Sequence, residues 1–275
     1  MRNFGERNRI EYSDREKEYK EYEECVEQLY AFLKEAAQDL RLEGVPVDDA
    51  CHINEDAFEG VSGAEGPYNI EKDKRLVQRF EKKWAKDKSI KEENIEEERK
   101  KTNGEQLEIL KTAIFTKFLG EDYIVTRTAR YDDIINGIDN LVLDKKTGKP
   151  ICAIDDVGET RGIRFDEKKE EILDKDKERG GDLKYGLGMK DGKLILGEQK
   201  NIPIFYLALP KRYIEKGVGE FIPSRKDKGG FEKKLFEVFK NSILSQISAL
   251  KLELRLNLEI EESISYFEKV LKNNF

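Results

Sequence analysis

The chain has 275 residues, 40% of them charged and 37% hydrophobic, and its 51 Lys and Arg against 58 Asp and Glu give a formal net charge of −7. Such a balance argues against a general electrostatic nucleic-acid binder, which is normally basic, but leaves room for an enzyme with a local basic groove. No apolar run reaches the roughly 18–20 residues that span a bilayer, and the N-terminal stretch MRNFGERNRIEYSDREKEYK holds no signal-peptide core, so the expectation is a cytoplasmic protein with no membrane partner. Cys25, Cys51 and Cys152 lie far apart without CxxC spacing and read as free thiols of a reducing compartment.

In chain order, residues 6–43 predict one long amphipathic helix, because Tyr19, Tyr22, Val26, Leu29, Tyr30, Leu33, Ala36 and Leu40 recur at gaps of three and four. Gly44 and Pro46 end it, and residues 44–70 read as a surface loop that carries the single histidine, His52, beside Cys51. A second charged helix is expected over 71–100, anchored by Leu76, Phe80 and Trp84, and a third over EQLEILKTAIFTKFLG, signalled by Asn103 and Gly104 and closed by Gly120. Strands follow at Tyr123–Thr128, Ile138–Leu143 and Ile151–Val157, the last two joined by a KKTGKP turn. DEKKEEILDKDKE reads as a polar helix or a solvated excursion, and YGLGMKDG as turns. Lys193–Leu196 and Ile202–Leu209 read as further strands, the latter buried on both faces. A helical pattern starts at Gly230, and KLELRLNLEI (251–260) alternates like a strand but is built of helix formers, so helix is expected there as well. The expected fold is α/β, a mixed central sheet flanked by helices, with a charged helical region over 1–100, an α/β core over 101–220 and a helical region over 221–275.

The chemistry-bearing residues gather in the middle. The helix offers Glu105 and Glu108, the second strand Asp139, and the third strand Asp155 followed by Asp156. Antiparallel strands could bring Asp139 and Asp155 together, where two carboxylates repel unless a cation lies between them, and oxygen ligands of this kind suit Mg²⁺ or Mn²⁺. Tyr131, Asp132 and Asp133 read more simply as a loop with a structural acid.

A helix glutamate, a strand aspartate, a hairpin and a second strand acid, in that order over residues 103–209, resemble the PD-(D/E)XK nuclease superfamily. The matched pieces are Glu105 or Glu108, YDDIINGIDNLVLD with Asp139, and CAIDDV with Asp155. The resemblance implies a restriction-endonuclease-like core and metal-dependent hydrolysis of DNA or RNA phosphodiesters. Asp139 and Asp155 would hold Mg²⁺ (or Mn²⁺), with Glu105 and Glu108 completing the shell. Val157 stands where the family has its water-orienting lysine, so the activity is either retained through a relocated lysine, with Lys111 and Lys200 as candidates, or lapsed. Arg161 and Arg164, just after the acids, are the candidate phosphate-backbone contacts. A competing reading is a non-enzymatic interaction protein, whose striped terminal helices dock a protein partner or a second copy while the α/β core is only a scaffold.

Overall fold

The computed structural model describes residues 4–63, 66–158, 160–190, 193–252 and 257–273. In chain order these form helix α1 (Phe4–Leu42), a two-stranded ribbon β1 (Ser62–Gly63) and β2 (Gly66–Pro67), and helices α2 (Ile70–Asp87), α3 (Ile95–Lys100) and α4 (Asn103–Leu119). Strands β3 (Tyr123–Arg127), β4 (Asn140–Asp144) and β5 (Pro150–Asp156) follow, then α5 (Ile163–Glu178), β6 (Gly181–Lys190), β7 (Lys193–Ile202) and β8 (Ile204–Leu207). Helices α6 (Lys211–Gly219), α7 (Gly230–Leu250) and α8 (Leu258–Asn273) complete the chain.

The central sheet runs β3-β4-β5-β8. Its first three strands are antiparallel neighbours, whereas β8 lies parallel to β5 and is reached through α5 and the separate β6–β7 hairpin. The sheet is mixed and helices cover it, as the sequence predicts. Strands β3 and β4 are buried along their whole length. Burial of both faces explains why they read as apolar runs and not as an alternation.

Helix α4 is the pillar under this sheet. Thr102 caps it by accepting the Glu105 N–H at 3.2 Å. Leu107, Leu110, Ile114 and Leu119 are buried against α1, α6, α7 and β3. The α1 stripe packs where expected from Val26 to Leu40, although Tyr19 lies outside it and is exposed. Each fully buried Leu or Phe here contributes about 1.5–3 kcal/mol relative to an exposed one. The apolar stripes of α7 and α8 (Phe236, Phe239, Ile247, Ile264 and Phe267 among them) also belong to the same core. The terminal stripes expected to dock partners are thus largely buried within the chain itself.

Several expectations change. The helix predicted over 71–100 breaks at Ser89, whose φ of 58° is left-handed, so α2 and α3 are separate. YGLGMKDG lies mostly in β6 rather than in turns. The 44–70 segment is not a surface loop throughout. Cys51 and His52 are buried, and His52 Nδ1 lies 2.9 Å from the Thr128 carbonyl beside β3. The helix expected over 251–260 falls partly on 253–256, outside the described residues; α7 ends before it and α8 begins at Leu258. No helix among the described residues is long and apolar enough to cross a membrane.

Candidate metal centre

At the C-terminal end of β5, a line of charged residues on α4 meets the residues leading into β4. Glu105, Glu108 and Lys111 are spaced by three, one per turn on a single side of the helix. The connection from β3 to β4 contains a π-helical turn, Asp132–Asn136, and Gly137 closes it at φ 65°. Asp132 fixes this turn from inside by accepting the Lys184 and Tyr185 N–H groups of β6 at 2.8 and 2.9 Å. The turn therefore holds Asp133 and Asp139 toward α4. Widened turns of this kind recur at functional sites.

Glu108, Asp133 and Asp139 each bring a carboxylate oxygen within 4.8 Å of the other two. Asp156 joins them. Its N–H donates to Asp139 Oδ2, and Lys111 Nζ lies 2.7 Å from its Oδ1 and 3.9 Å from Asp139 Oδ2. The Lys111–Asp156 contact is a buried ion pair, and no other hydrogen-bond partner among the described residues meets the Lys111 ammonium or the Asp156 carboxylate. These four acids line, or lie beside, a cleft of about 880 Å³ roofed by α2 and α3.

The electrostatics follow from burial. Desolvation pushes the Asp133 and Asp156 carboxyls up to about 7, with Glu108 adding to both and Lys111 opposing the shift at Asp156. Asp139 is pushed well above the usual carboxylate range, first by burial and then by Glu108 and Asp156. Glu105 differs. Burial would raise it, but Arg127 and Arg99 override that and hold it below the ordinary range. Its oxygens accept from Tyr30 at 2.9 Å and Arg127 at 2.8 Å, with Arg99 at 3.3 Å. Arg127, fully buried, also pairs with Glu108.

The residues expected from sequence thus separate. Glu108 and Asp139 come together as expected. Glu105 lines the same cleft but is occupied by two arginines and a tyrosine, and acts as an orienting partner for Arg127. Asp155 does not face this cluster. Its carboxylate meets Lys168 of α5 at 2.7 Å, while its neighbour Asp156 takes the place beside Asp139. Strict alternation pairs Asp139 with Asp155 across the strands. Asp139, however, precedes the first residue of β4, and its carboxylate turns to cap the Asp156 N–H. Lys200 is exposed on β7, pairs with Glu198 at 3.5 Å and does not line the cleft. Arg161 and Arg164 are exposed and line no part of it either; Arg161 borders a smaller hollow with Lys211. Asp133, read as a loop acid, is a full member of the cluster. The signal that points to Lys111 is its spacing of one turn from Glu108.

A donor set made only of carboxylate oxygens, crowded in a buried place that raises the pKa of Asp133, Asp139 and Asp156, has the chemistry of a Mg²⁺ or Mn²⁺ site. The residues therefore fit the ion that the resemblance implies. No protein-family model matches this chain, and neither a curated protein nor a solved structure matches it.

Proposed function

We propose that the protein is a divalent-metal-dependent phosphodiesterase of the PD-(D/E)XK type that cleaves nucleic acid. Asp139, Glu108, Asp133 and Asp156 would hold Mg²⁺ or Mn²⁺. The observation that carries the reading is the buried Asp139–Asp156–Lys111 constellation at the open end of β5, in an α-β-β-β-α order followed, after the β6–β7 hairpin, by a strand parallel to the third. With Asp156 in place of Asp155, the family's lysine position falls on Gly158, which has no side chain. Lys111 then supplies the ammonium from α4. Val157 needs no catalytic role, because it is buried and its N–H donates to the Leu207 carbonyl at 2.8 Å.

The chemistry asks little more of the chain. A bound divalent cation lowers the pKa of its water and neutralises charge on the phosphoryl oxygens. Lys111, fully buried against Asp156 and behind the acids that line the cleft, would act on the site by holding the Asp156 carboxylate in place. Arg127 and Glu105 fix the Glu108 carboxylate, and the turn anchored by Asp132 fixes Asp133.

Calorimetric titration of Mn²⁺ into the wild type, Asp139→Asn and Asp156→Asn tests the metal site. Binding by the wild type that is lost in both folded variants supports it, and unchanged binding by either variant removes that residue. Lys111→Met, which leaves Asp156 buried without its counter-charge, should lose about 10–100-fold in metal-dependent cleavage, the usual effect of an outer-shell change at a metal site.

A further inference from the structure

The roof of the acidic cleft is built differently from its floor. Helix α2 presents Phe80 and Trp84, one turn apart at i and i+4, and Ile90 and Ile95 extend the apolar surface toward α3. Phe80 is 45% exposed and Trp84, the chain's single tryptophan, is half-buried; neither belongs to the apolar core. Between them in sequence, Glu81 ties the helix down by accepting from Arg130 at 3.0 Å and Arg99 at 3.3 Å. These ion pairs bind the roof to the segment that carries Asp133 and to α3. Two aromatic side chains on a helix tied down by ion pairs thereby line the same cleft as the acids.

The charges on that wall decide what it can take. Arg99 and Arg130 are already paired with Glu81, and Lys101 lies 2.8 Å from Glu98. That leaves the exposed Lys88 as the cation least committed within the cleft. A duplex is held chiefly by cations along its phosphates, which are scarce here. Stacking on aromatic side chains needs only unpaired bases. The volume of about 880 Å³ is also that of a site for a few nucleotides rather than a trough for a double helix.

We propose that Phe80 and Trp84 form a stacking platform for unpaired bases, so that the substrate is a single strand or a frayed end whose phosphates cross the acid cluster. This rests on the phosphodiesterase reading above and specifies its substrate. Lys88 then steers the backbone at the rim, and the bases lie on the rings. The net negative charge of the chain ceases to be an obstacle, because affinity comes from stacking and from the cation on the acids.

Because Trp84 is the only tryptophan, its fluorescence reports the site directly. The experiment titrates short oligo-dT, oligo-U and a duplex of equal length into the full chain, in Ca²⁺ so that the acids are occupied with little turnover. Single strands of either sugar should quench Trp84 and bind more tightly than the duplex. Trp84→Ala and Phe80→Ala should each weaken binding of labelled strand by roughly tenfold to a hundredfold, and Trp84→Phe should restore most of it. Absence of quenching in the wild type, equal or tighter duplex binding, or wild-type affinity in Trp84→Ala would each overturn the proposal. The quenching arm needs no variant, so it stands even if a substitution disturbs α2. The metal reading fails separately, by absence of Mn²⁺ binding in the wild type. If Mn²⁺ binds while the strand ignores Trp84, only the platform falls.

Discussion

Helix α4 carries two buried lysines six residues apart, and their surroundings differ in a way that separates structure from chemistry. Lys117 is saturated. It pairs with Glu232 at 2.7 Å, donates to the Ile222 and Asp227 carbonyls, and lies 4.3 Å from the centre of the Phe221 ring. Glu232 is equally complete, accepting the Ile222 and Gly229 N–H groups at 3.0 and 2.6 Å as well. Lys111 Nζ lies 2.7 Å from Asp156 Oδ1 and 3.9 Å from Asp139 Oδ2, in a cluster that also holds Glu108 and Asp133, and it donates to no backbone carbonyl among the described residues. One site balances a single charge with a single counter-charge and closes off. The other gathers four carboxylates on the wall of a cleft, Glu108 held by Arg127, Asp133 by Arg130 and Asp156 by Lys111, and leaves Asp139 with no cation closer than 3.9 Å among the described residues. Such crowding of like charges is what a cation would relieve.

The same chemical change, carboxylate to amide, should have opposite consequences at the two sites. Glu232→Gln leaves the Lys117 charge buried without its partner and should cost about 3–5 kcal/mol in urea unfolding. Asp139→Asn should instead leave the metal-free protein unchanged or about 1 kcal/mol more stable at pH 8, since it removes one of several like charges. A large loss of stability in Asp139→Asn would mean that the acid cluster is as structural as the Lys117 pair.

The next effect in size is on the metal. Asp156→Asn should weaken Mn²⁺ binding by more than about 100-fold, because even outer-shell changes at metal sites reach that range. The same acids set a pH dependence whose sign is fixed. Asp133 and Asp156 titrate from the model-compound value of 3.8 in the unfolded chain but near 7 in the fold, so the folded protein retains protons that the unfolded chain has released. Their contribution is complete below pH 4 or so and is lost as pH rises through about 7. In EDTA, the melting temperature should fall across that window. In Mn²⁺ the stabilisation should grow across it, because the ion binds the deprotonated carboxylates. A metal-induced shift that is flat from pH 5 to 8 would place the ion elsewhere.

Local pattern carried much of this fold. The α4 stripe, the strands β3 to β5 and the KKTGKP hairpin follow from periodicity and turn chemistry. What escaped had a physical cause in each case. Strand β6 reads as turns because of its glycines, yet Gly186 is there for close approach: a Cβ would meet the Gln199 side chain at 2.4 Å. Helix α6 is only nine residues long, too short for its Ile214 and Val218 stripe to repeat. At the site, Glu108 and Asp139 were legible, because each sits on an element that the pattern identifies. Asp156 was not, because a single residue leading into β4 departs from strand alternation, and alternation is what assigned Asp155. Nor does sequence foretell that α2 folds over the acids, since that placement depends on ion pairs from Glu81 to Arg99 and Arg130, which are distant in the chain.

The mildest substitution of the set, Asp155→Asn, tests that one-residue assignment. Asp155 and Asp156 are neighbours on one strand with opposite outlooks: Asp156 toward α4 and the cleft, Asp155 toward Lys168 on α5. Lys168 keeps 27% of its side chain exposed, so water can take over its solvation when the carboxylate is removed. Asp155→Asn should therefore cost only about 1 kcal/mol, as for a partly solvated pair, and should leave Mn²⁺ affinity within a few-fold of the wild type. If Asp155→Asn abolished Mn²⁺ binding while Asp156→Asn spared it, alternation would have been the better guide. The ion would then sit on the α5 side of β5, with Lys168 rather than Lys111 as its neighbouring ammonium. Because the two variants differ by one position and the same atom change, disruption of the strand cannot explain a difference between them. The pair therefore reads out which face of the strand carries the chemistry.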